Sequence, residues 1–271
     1  MHSDEPATQN TQATKALAGK VAFLAGASGG INLGIALGFA EAGAKVALIS
    51  RSPEKIEAAA QMLRDAGHQA IGMAADVRKP EAVEAALSAT QEKWGNIDIV
   101  LSGAAGNFVA PASALSPNGF KTVVDIDLLG TFNVFRLSYP YLTKPGASLI
   151  AITAMQAEKP TIYQIHACAA KAGVNMVTKC LALEWGGEGI RVNAIAPGGV
   201  LDTEGMRRLS AGADLSTAGK KVPLGRFAVK RDIANLAVFL CSEQASYITG
   251  TIIDCDGGSA LTGGFGMLPG N

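Results

Sequence analysis

The sequence predicts one α/β domain built on a doubly wound parallel sheet. Short apolar runs alternate with longer amphipathic stretches along nearly the whole chain. The short runs are apolar throughout rather than at every second residue, which is typical of strands that helices cover on both faces. The length of 271 residues suits one large domain, and no linker or repeat interrupts the pattern. We expect a flexible N-terminal arm over residues 1–17 and one domain over residues 18–271.

Seven strands and five long helices are predicted in alternating order. The second helix carries the clearest end signals, with Pro53 at its start and Gly67 just after its end. The strands are predicted over residues 21–25, 45–49, 70–74, 97–101, 148–152, 191–196 and 251–255. The helices are predicted over residues 33–42, 53–66, 80–94, 167–185 and 231–240.

Composition excludes several classes of partner. The chain has 23 basic and 23 acidic side chains, so no excess charge favours nucleic acid or an anionic membrane surface. No apolar run approaches the ~20 residues that a membrane span needs. The four cysteines form no C-x-x-C pair and the three histidines are scattered, so we expect no metal site. The N-terminal segment is polar and lacks the apolar core of a signal peptide, which favours a cytoplasmic protein.

A glycine-rich turn follows the first predicted strand and precedes the first helix. It reads Gly26-Ala27-Ser28-Gly29-Gly30-Ile31-Asn32. Glycines allow a tight turn and let backbone N–H groups approach a pyrophosphate at the helix N-terminus. We therefore predict a dinucleotide site of the Rossmann type that uses Gly26, Ser28, Gly29, Gly30 and Ile31.

The end of the second predicted strand indicates which dinucleotide is bound. An acidic residue at this point would hold the ribose hydroxyls of NAD, but the strand ends in Ser50 and Arg51. A hydroxyl and a guanidinium instead suit the 2′-phosphate of NADP(H). We predict NADP(H) as the cofactor, with Ser50 and Arg51 as its phosphate ligands.

The order of further motifs resembles that of the short-chain dehydrogenases/reductases over about residues 18–260. Asp76-Val77 resembles their adenine contact, and Pro197-Gly198 resembles their nicotinamide contact. The segment from Ser102 to Gly106 resembles their Asn-Asn-Ala-Gly segment with both Asn replaced, and Asn32 replaces the third glycine of their phosphate turn. The cofactor residues that the resemblance implies are Asp76, Val77, Ala104, Lys171, Pro197, Gly198 and Val200.

The catalytic positions depart from the pattern of this superfamily. Most members reduce a carbonyl with Ser, Tyr and Lys, and the last two residues are spaced Tyr-x-x-x-Lys. Lys171 matches the Lys, but Ala167 stands at the Tyr position and Ala154 at the Ser position. Asp127 replaces the usual Asn of the middle helix. This combination argues against an ordinary ketone reductase.

One branch of the superfamily, the peroxisomal-type 2,4-dienoyl-CoA reductases, resembles this chain at several segments. These are residues 104–108, 115–123, 125–127, 130–133, 166–167 and 203–209. The resemblance implies that Asp127 and Lys171 carry catalysis and that the protein is a homo-tetramer assembled through helices near residues 131–142 and 167–185. The substrate is an acyl-CoA, for which Asn107, Phe108, His166 and Arg207 are the predicted contacts.

Reduction of a dienoyl thioester explains the missing tyrosine. Charge develops at the thioester oxygen, far from the carbon that receives hydride, so Asn107 is the predicted donor at that oxygen. Two other functions stay open: another carbonyl or enoyl reductase with a relocated proton donor, and a catalytically silent NADP(H)-binding protein. The retention of Lys171 and Asn107 argues against the catalytically silent protein. The chain ends Leu268-Pro269-Gly270-Asn271, without the Ser-Lys-Leu-type peroxisomal address, so we expect a bacterial relative of this branch.

Overall fold

Apolar strands form the centre of the molecule. The computed structural model describes residues 15–209 and 215–262. Its seven strands are all parallel and lie in the order β3-β2-β1-β4-β5-β6-β7, which confirms the predicted doubly wound sheet. The strands are β1 (Val21–Ala25), β2 (Lys45–Ser50), β3 (Ala70–Ala74), β4 (Ile99–Ser102), β5 (Ser148–Ile152), β6 (Arg191–Pro197) and β7 (Ile252–Cys255).

Helices cover both faces of the sheet. They are α1 (Gly30–Glu41), α2 (Pro53–Asp65), α3 (Pro80–Trp94), α4 (Pro117–Val124), α5 (Gly130–Ser138), α6 (Ile165–Trp185), α7 (Glu204–Leu209), α8 (Leu215–Lys220) and α9 (Lys230–Cys241). One buried cluster joins α1, α2 and α9 to the sheet, and a second joins α3, α5 and α6 to its other face. Successive residues of β1 alternate between the two, so Leu24 packs in the first and Phe23 in the second. This explains why the strand is apolar throughout.

The packed part of the chain includes one residue of the predicted N-terminal arm. Leu17 is fully buried in the first cluster, and its N–H donates to the carbonyl of Ala42 at 2.9 Å. Leu17, the last residue of the predicted arm, is therefore packed against the domain, and the division into arm and domain stays a prediction. Residues 1–14 of the predicted arm lie outside the described part of the chain.

The segment between β4 and β5 holds structure that the apolar pattern did not predict. Ser116 caps α4, and its side-chain oxygen accepts a hydrogen bond from the backbone N–H of Gly119 at 3.0 Å. A π-helical turn, Asp125–Leu129, then joins α4 to α5. Two aspartates and a glycine within this stretch are poor helix formers, which hides the helix from a reading of periodicity.

The strand order reverses between β1 and β4. The connections that leave these two strands run to opposite faces of the sheet, which opens a crevice at their carboxyl ends. Nothing in the described ranges forms a helix that could span a membrane. Residues 15–209 and 215–262 also bring together no group of three or more His, Cys, Asp or Glu side chains that could hold a metal ion.

Candidate active site

A cleft of about 870 Å³ runs along the carboxyl ends of the strands at this crevice. The residues predicted from sequence to bind the dinucleotide all line it. They are Gly26, Ser28, Gly29, Gly30, Ile31, Ser50, Arg51, Asp76, Val77, Ala104, Lys171, Pro197, Gly198 and Val200. The fold therefore collects these dispersed positions, which span β1 to β6, at one edge of the sheet.

The phosphate turn is shaped by close backbone packing. Gly26 has φ +76°, and a Cβ atom there would lie 2.6 Å from backbone atoms of Ala104. Only glycine fits this position without moving the loop that follows β4. The next helix, α1, has Gly29 at its N-cap with no side-chain cap, and no acidic residue lies in its first turn. The N–H groups of that turn and the helix dipole are therefore available to a pyrophosphate, so the residues present fit a dinucleotide.

The end of the cleft beside Arg51, which the family resemblance assigns to adenine and which we call the adenine end, is open and basic. Arg51, just past the end of β2, is exposed, and Lys55 in the first turn of α2 also lines the cleft. Ser52 caps α2 by accepting a hydrogen bond from the Lys55 N–H at 3.3 Å. The sequence pattern predicts Arg51 but not Lys55, whose only signal is its place in the first turn after the Ser52-Pro53 cap.

Asp76 is held as an anion at the same end. The Arg78 Nε donates to both of its carboxylate oxygens, at 3.0 and 3.1 Å. The hydrogen bond from Arg78 lowers the pKa of Asp76 below its ordinary value, against the opposing effect of burial. Arg78 thereby neutralises a carboxylate that would otherwise repel a phosphate bound near Arg51.

A buried ion pair lies at the opposite end of the cleft. The Lys171 Nζ is 3.1 Å from the Asp127 Oδ2, and both side chains are at least nine-tenths buried. Lys171 also donates to the carbonyl of Ile152 at 2.9 Å, and the other Asp127 oxygen accepts from the N–H of Gly106 at 2.7 Å. Each charge therefore has a second partner, as a buried pair requires.

The π-helical turn places Asp127 at this point. Thr131 donates to the backbone carbonyl of Asp127 at 2.7 Å, and Ser102, at the end of β4, donates to the Thr131 hydroxyl at 3.1 Å. These bonds tie the turn to the sheet. π-helical turns within α-helices are frequent at functional sites. The sequence analysis named Asp127 but neither hydroxyl that supports it.

Asn107 is oriented by a residue that sequence analysis missed. Its Nδ2 donates to the Gln164 Oε1 at 2.7 Å, so one of its two N–H bonds is engaged and the other is available. Nearby, the N–H of Ala110 donates to the carbonyl of Tyr163, which has φ +63°. The loop after β4 is thus joined to the start of α6. No motif distinguished Gln164, because the contact spans 57 positions of the chain.

The other predicted substrate residues lie behind or beside the cleft. The ring of Phe108 stacks on that of His166, with centroids 4.3 Å apart. His166 is fully buried, and burial lowers its pKa against the smaller opposing effects of the Phe108 backbone and of Asp127. Arg207 is exposed on α7, whose residues Glu204–Met206 do line the cleft. In this structure Asn107 is the predicted substrate contact that reaches the cleft wall.

Ala167 and Ala154 both face the cleft, together with Gln156. The positions at which most short-chain reductases carry Tyr and Ser are therefore inside the site and hold only methyl groups.

Residues 26–260 match the family model described as enoyl-(acyl carrier protein) reductase. The chain belongs to the short-chain dehydrogenase/reductase family.

Relatives within this family share sequence along most of the chain. The peroxisomal 2,4-dienoyl-CoA reductase of Rattus norvegicus is 44% identical over 247 residues, which are 90% of this chain and 84% of that protein. The enzyme of the same name from Saccharomyces cerevisiae is 43% identical over 244 residues, 89% of this chain and 84% of that protein. Both names specify a (3E)-enoyl-CoA product.

Solved structures of short-chain dehydrogenases share the fold. A short chain dehydrogenase from Bacillus anthracis is 39% identical with a TM-score of 0.81, covering 90% of this chain and 97% of that one. A dehydrogenase/reductase from Sinorhizobium meliloti is 32% identical with a TM-score of 0.84, covering 90% and 96%. The fold and the cleft are therefore those of a known oxidoreductase family.

Proposed function

We propose that the protein is an NADPH-dependent 2,4-dienoyl-CoA reductase that forms a 3-enoyl-CoA. The observation that carries the proposal is the buried Asp127–Lys171 pair beside Asn107, in a cleft where Ala167 replaces the usual tyrosine. The identity of 40–44% to several relatives named for this activity supports it.

NADPH is the proposed cofactor because the adenine end of the cleft offers cations to a 2′-phosphate. Arg51 and Lys55 line that end, and Ser50 adds a hydroxyl. The carboxylate there, Asp76, is neutralised by Arg78. At the other end Lys171 is placed to hold the nicotinamide ribose through the N–H that neither Asp127 nor Ile152 engages.

A nicotinamide bound in the cleft supplies hydride to the far end of the conjugated acyl chain. The negative charge that follows is delocalised to the thioester oxygen, where the free N–H of Asn107 donates a hydrogen bond. Gln164 accepts one N–H of that amide and so fixes its orientation. No hydroxyl beside the nicotinamide is needed for this role, which fits the methyl group of Ala167.

The product also needs a proton at the carbon next to the thioester. Lys171 brings an ammonium into the site, and its charge stabilises the electron-rich acyl chain. We propose that the Lys171 ammonium gives this proton to the acyl carbon and regains one from solvent water through the Asp127 carboxylate, which the N–H of Gly106 anchors. Burial of both side chains keeps this chemistry away from bulk water.

The test is a spectrophotometric assay of NADPH oxidation with four classes of substrate: a 2,4-dienoyl-CoA, a 2-enoyl-CoA, a 3-oxoacyl-CoA and simple ketones. We expect turnover of the dienoyl-CoA and a 3-enoyl-CoA product, identified by chromatography against standards. Faster turnover of a 3-oxoacyl-CoA or a ketone would overturn the proposal. An absence of turnover with every class, despite NADPH binding, would instead favour a silent binding protein.

We also infer a homo-tetramer. Apolar side chains are exposed on the two helices that the family resemblance assigned to subunit contacts: Phe132 on α5, and Ile165, Met176 and Leu183 on α6. Exposed apolar clusters of this kind mark protein interfaces. Sedimentation at micromolar concentration would show the mass of four chains, and a monomer mass would refute the inference.

The cytoplasmic location stays a prediction, which subcellular fractionation checks.

A further inference from the structure

The side chain of Asn32 fills the junction between the phosphate turn and the loop after β4. Its Nδ2 donates to the carbonyl of Gly26 at 3.0 Å and to the carbonyl of Gly103 at 2.7 Å. One amide nitrogen thus uses both of its hydrogens on two segments that are 77 positions apart in the chain. The residue is 7% exposed and lies on the wall of the cofactor cleft.

The orientation of this amide follows from its neighbours. If the Asn32 oxygen and nitrogen were exchanged, the oxygen would face two carbonyl oxygens, and the contact would be repulsive. In the observed orientation Oδ1 is buried without a conventional hydrogen-bond partner. It lies on the side where Gly103 carries a hydrogen in place of a side chain. Burying this oxygen without a partner costs free energy, and the two hydrogen bonds to the carbonyls of Gly26 and Gly103 offset that cost.

Gly103 is shaped to this side chain. A Cβ atom at Gly103 would lie 2.3 Å from Oδ1 and 2.5 Å from Nδ2 of Asn32, and its three nearest atoms all belong to Asn32. The backbone of Gly103 is not in the left-handed region, so the position does not demand glycine for conformational reasons. A side chain is excluded there because the amide of Asn32 occupies the space.

The two residues depart together from the pattern of the superfamily. Where that pattern has glycine in the phosphate turn and asparagine after the fourth strand, this chain has Asn32 and Gly103. The structure shows that these two positions touch. In this chain the phosphate turn supplies the side chain of this contact, and the loop after β4 supplies the glycine.

The contact reaches the catalytic groups through a short piece of chain. The loop that Asn32 holds at Gly103 continues to Gly106, whose N–H donates to Asp127, and to Asn107. We propose that Asn32 and Gly103 form a matched pair that positions the phosphate turn against this loop, and so couples cofactor binding to the placement of Asp127 and Asn107. Asn32 is a positioning residue, and the proposal rests on the dinucleotide site of the proposed function.

The experiment is a double-mutant cycle with Asn32→Gly, Gly103→Ala and the two combined, measured by melting temperature and by NADPH titration without acyl-CoA. We expect Gly103→Ala alone to displace the amide, lower the melting temperature by about 4 °C or more, and weaken NADPH binding about tenfold. In the Asn32→Gly background the added methyl group has space, so the same substitution should cost little. The swapped variant, Asn32→Gly with Gly103→Asn, should regain most of the NADPH affinity that Asn32→Gly loses.

A matched control separates positioning from general stability. Gly38→Ala lies in the same helix as Asn32, and its Cβ would lie 2.9 Å from that of Ala234 in α9. We expect it to lower the melting temperature without changing the NADPH affinity of the folded protein. The proposal is overturned if Gly103→Ala costs as much in both backgrounds, or if it lowers stability alone, as Gly38→Ala does. Wild-type protein that binds no NADPH would refute the proposed function, whereas the melting temperatures would still decide the pairing.

Discussion

The two ends of the cleft hold their cations in opposite ways. At the adenine end, Arg51 is exposed and belongs to no salt bridge in the described part of the chain. At the nicotinamide end, Lys171 is buried and paired with Asp127. An exposed cation keeps its hydration until a phosphate arrives, and salt screens its attraction. A buried cation is already dehydrated and aligned, so its field acts at full strength on a reacting group.

On the proposed function, the exposed charge of Arg51 contributes to cofactor affinity, and the buried charge of Lys171 contributes to catalysis. Removal of an exposed arginine leaves no other group stranded. Removal of one partner from a buried pair leaves the other charge without compensation, and that penalty adds to any loss of catalysis. Changes at the two ends are therefore expected to differ in size and in kind.

Lys171→Ala tests the buried end most severely. Turnover of a 2,4-dienoyl-CoA should fall about 10³-fold or more, and the free energy of unfolding should fall by about 3–5 kcal/mol because Asp127 is left uncompensated. Single-turnover kinetics and chemical denaturation measure the two effects. The double variant Lys171→Met with Asp127→Asn should recover much of the stability and none of the activity. Lys179→Ala, an exposed lysine on the same helix, is the control and should change neither. Full activity in Lys171→Ala would contradict the proposed catalytic role of the buried ion pair.

Asp127→Asn tests whether Asp127 serves proton transfer or cofactor binding within the ion pair. An amide still accepts the hydrogen bond from Gly106 but carries no charge and relays no proton. We expect turnover to fall about 10²- to 10⁴-fold while NADPH affinity stays nearly unchanged. Rapid-mixing absorbance gives the rate, and a fluorescence titration gives the affinity. An equal loss of both would show that Asp127 serves binding rather than proton transfer.

Arg51→Ala tests the exposed end. Loss of a charge-assisted phosphate contact should weaken NADPH binding about 10- to 100-fold and leave NADH binding unchanged. The NADPH affinity of the wild type should also fall with added salt more steeply than that of the variant. Arg64→Ala, on α2 and outside the cleft lining, is the matched control. Equal wild-type affinities for NADPH and NADH would contradict the assignment.

His166 gives a smaller effect that appears only on acidification. Burial lowers its pKa below the ordinary value of 6.5, so beneath that pH the unfolded chain takes up a proton that the folded protein refuses. Stability should therefore be complete above about pH 6.5 and fall as the pH drops towards the folded pKa. His166→Phe keeps the stack with Phe108 and should flatten the melting temperature between about pH 7 and 5.5. A slope of the same size in His166→Phe would assign the effect to other groups.

Tyr163→Phe should have the smallest effect of all. The side chain is 44% exposed, and its backbone rather than its hydroxyl makes the contact with Ala110. Turnover within about twofold of wild type is expected, since a proton donor would be worth at least about 10²-fold. If this variant loses activity while Asp127→Asn keeps it, the proton comes from Tyr163 and a reductase with a relocated donor is the better description.

Sequence patterns predicted the sheet better than they predicted the contacts within the site. β1 and β5 begin and end where the apolar runs do, because a strand buried on both faces leaves an unbroken run. The edge strand β3 also keeps its predicted bounds, although most of it is only partly buried. The dinucleotide residues were equally readable, since a glycine turn between strand and helix is a local motif. Gln164 and the Asn32–Gly103 contact could not be read in this way. They join positions that are far apart in the chain, and only the folded backbone brings them together.

The apolar pattern did not predict the helices between β4 and β5, for a different reason. Their stretch mixes helix formers with Asp125, Asp127 and Gly130, and local propensity hides an element that tertiary packing stabilises. Those same aspartates include a proposed catalytic group. The aspartate needed for the proposed chemistry is a poor helix former, so it weakened the helical pattern from which this element could have been predicted.

The π-helical turn at Asp125–Leu129 has a consequence for how the acid faces the site. Such a turn holds one residue more than an α-helical turn, and each residue of an α-helix rotates the chain by about 100°. Deletion of one residue, for example Ile126, would let α4 and α5 merge into one continuous α-helix. The buried face of α5, with Val134 and Phe135, could stay in register with the sheet only if everything N-terminal to the deletion rotated instead. The one extra residue of this turn thus sets the direction of the proposed catalytic carboxylate of Asp127 without changing the face that α5 packs on the sheet.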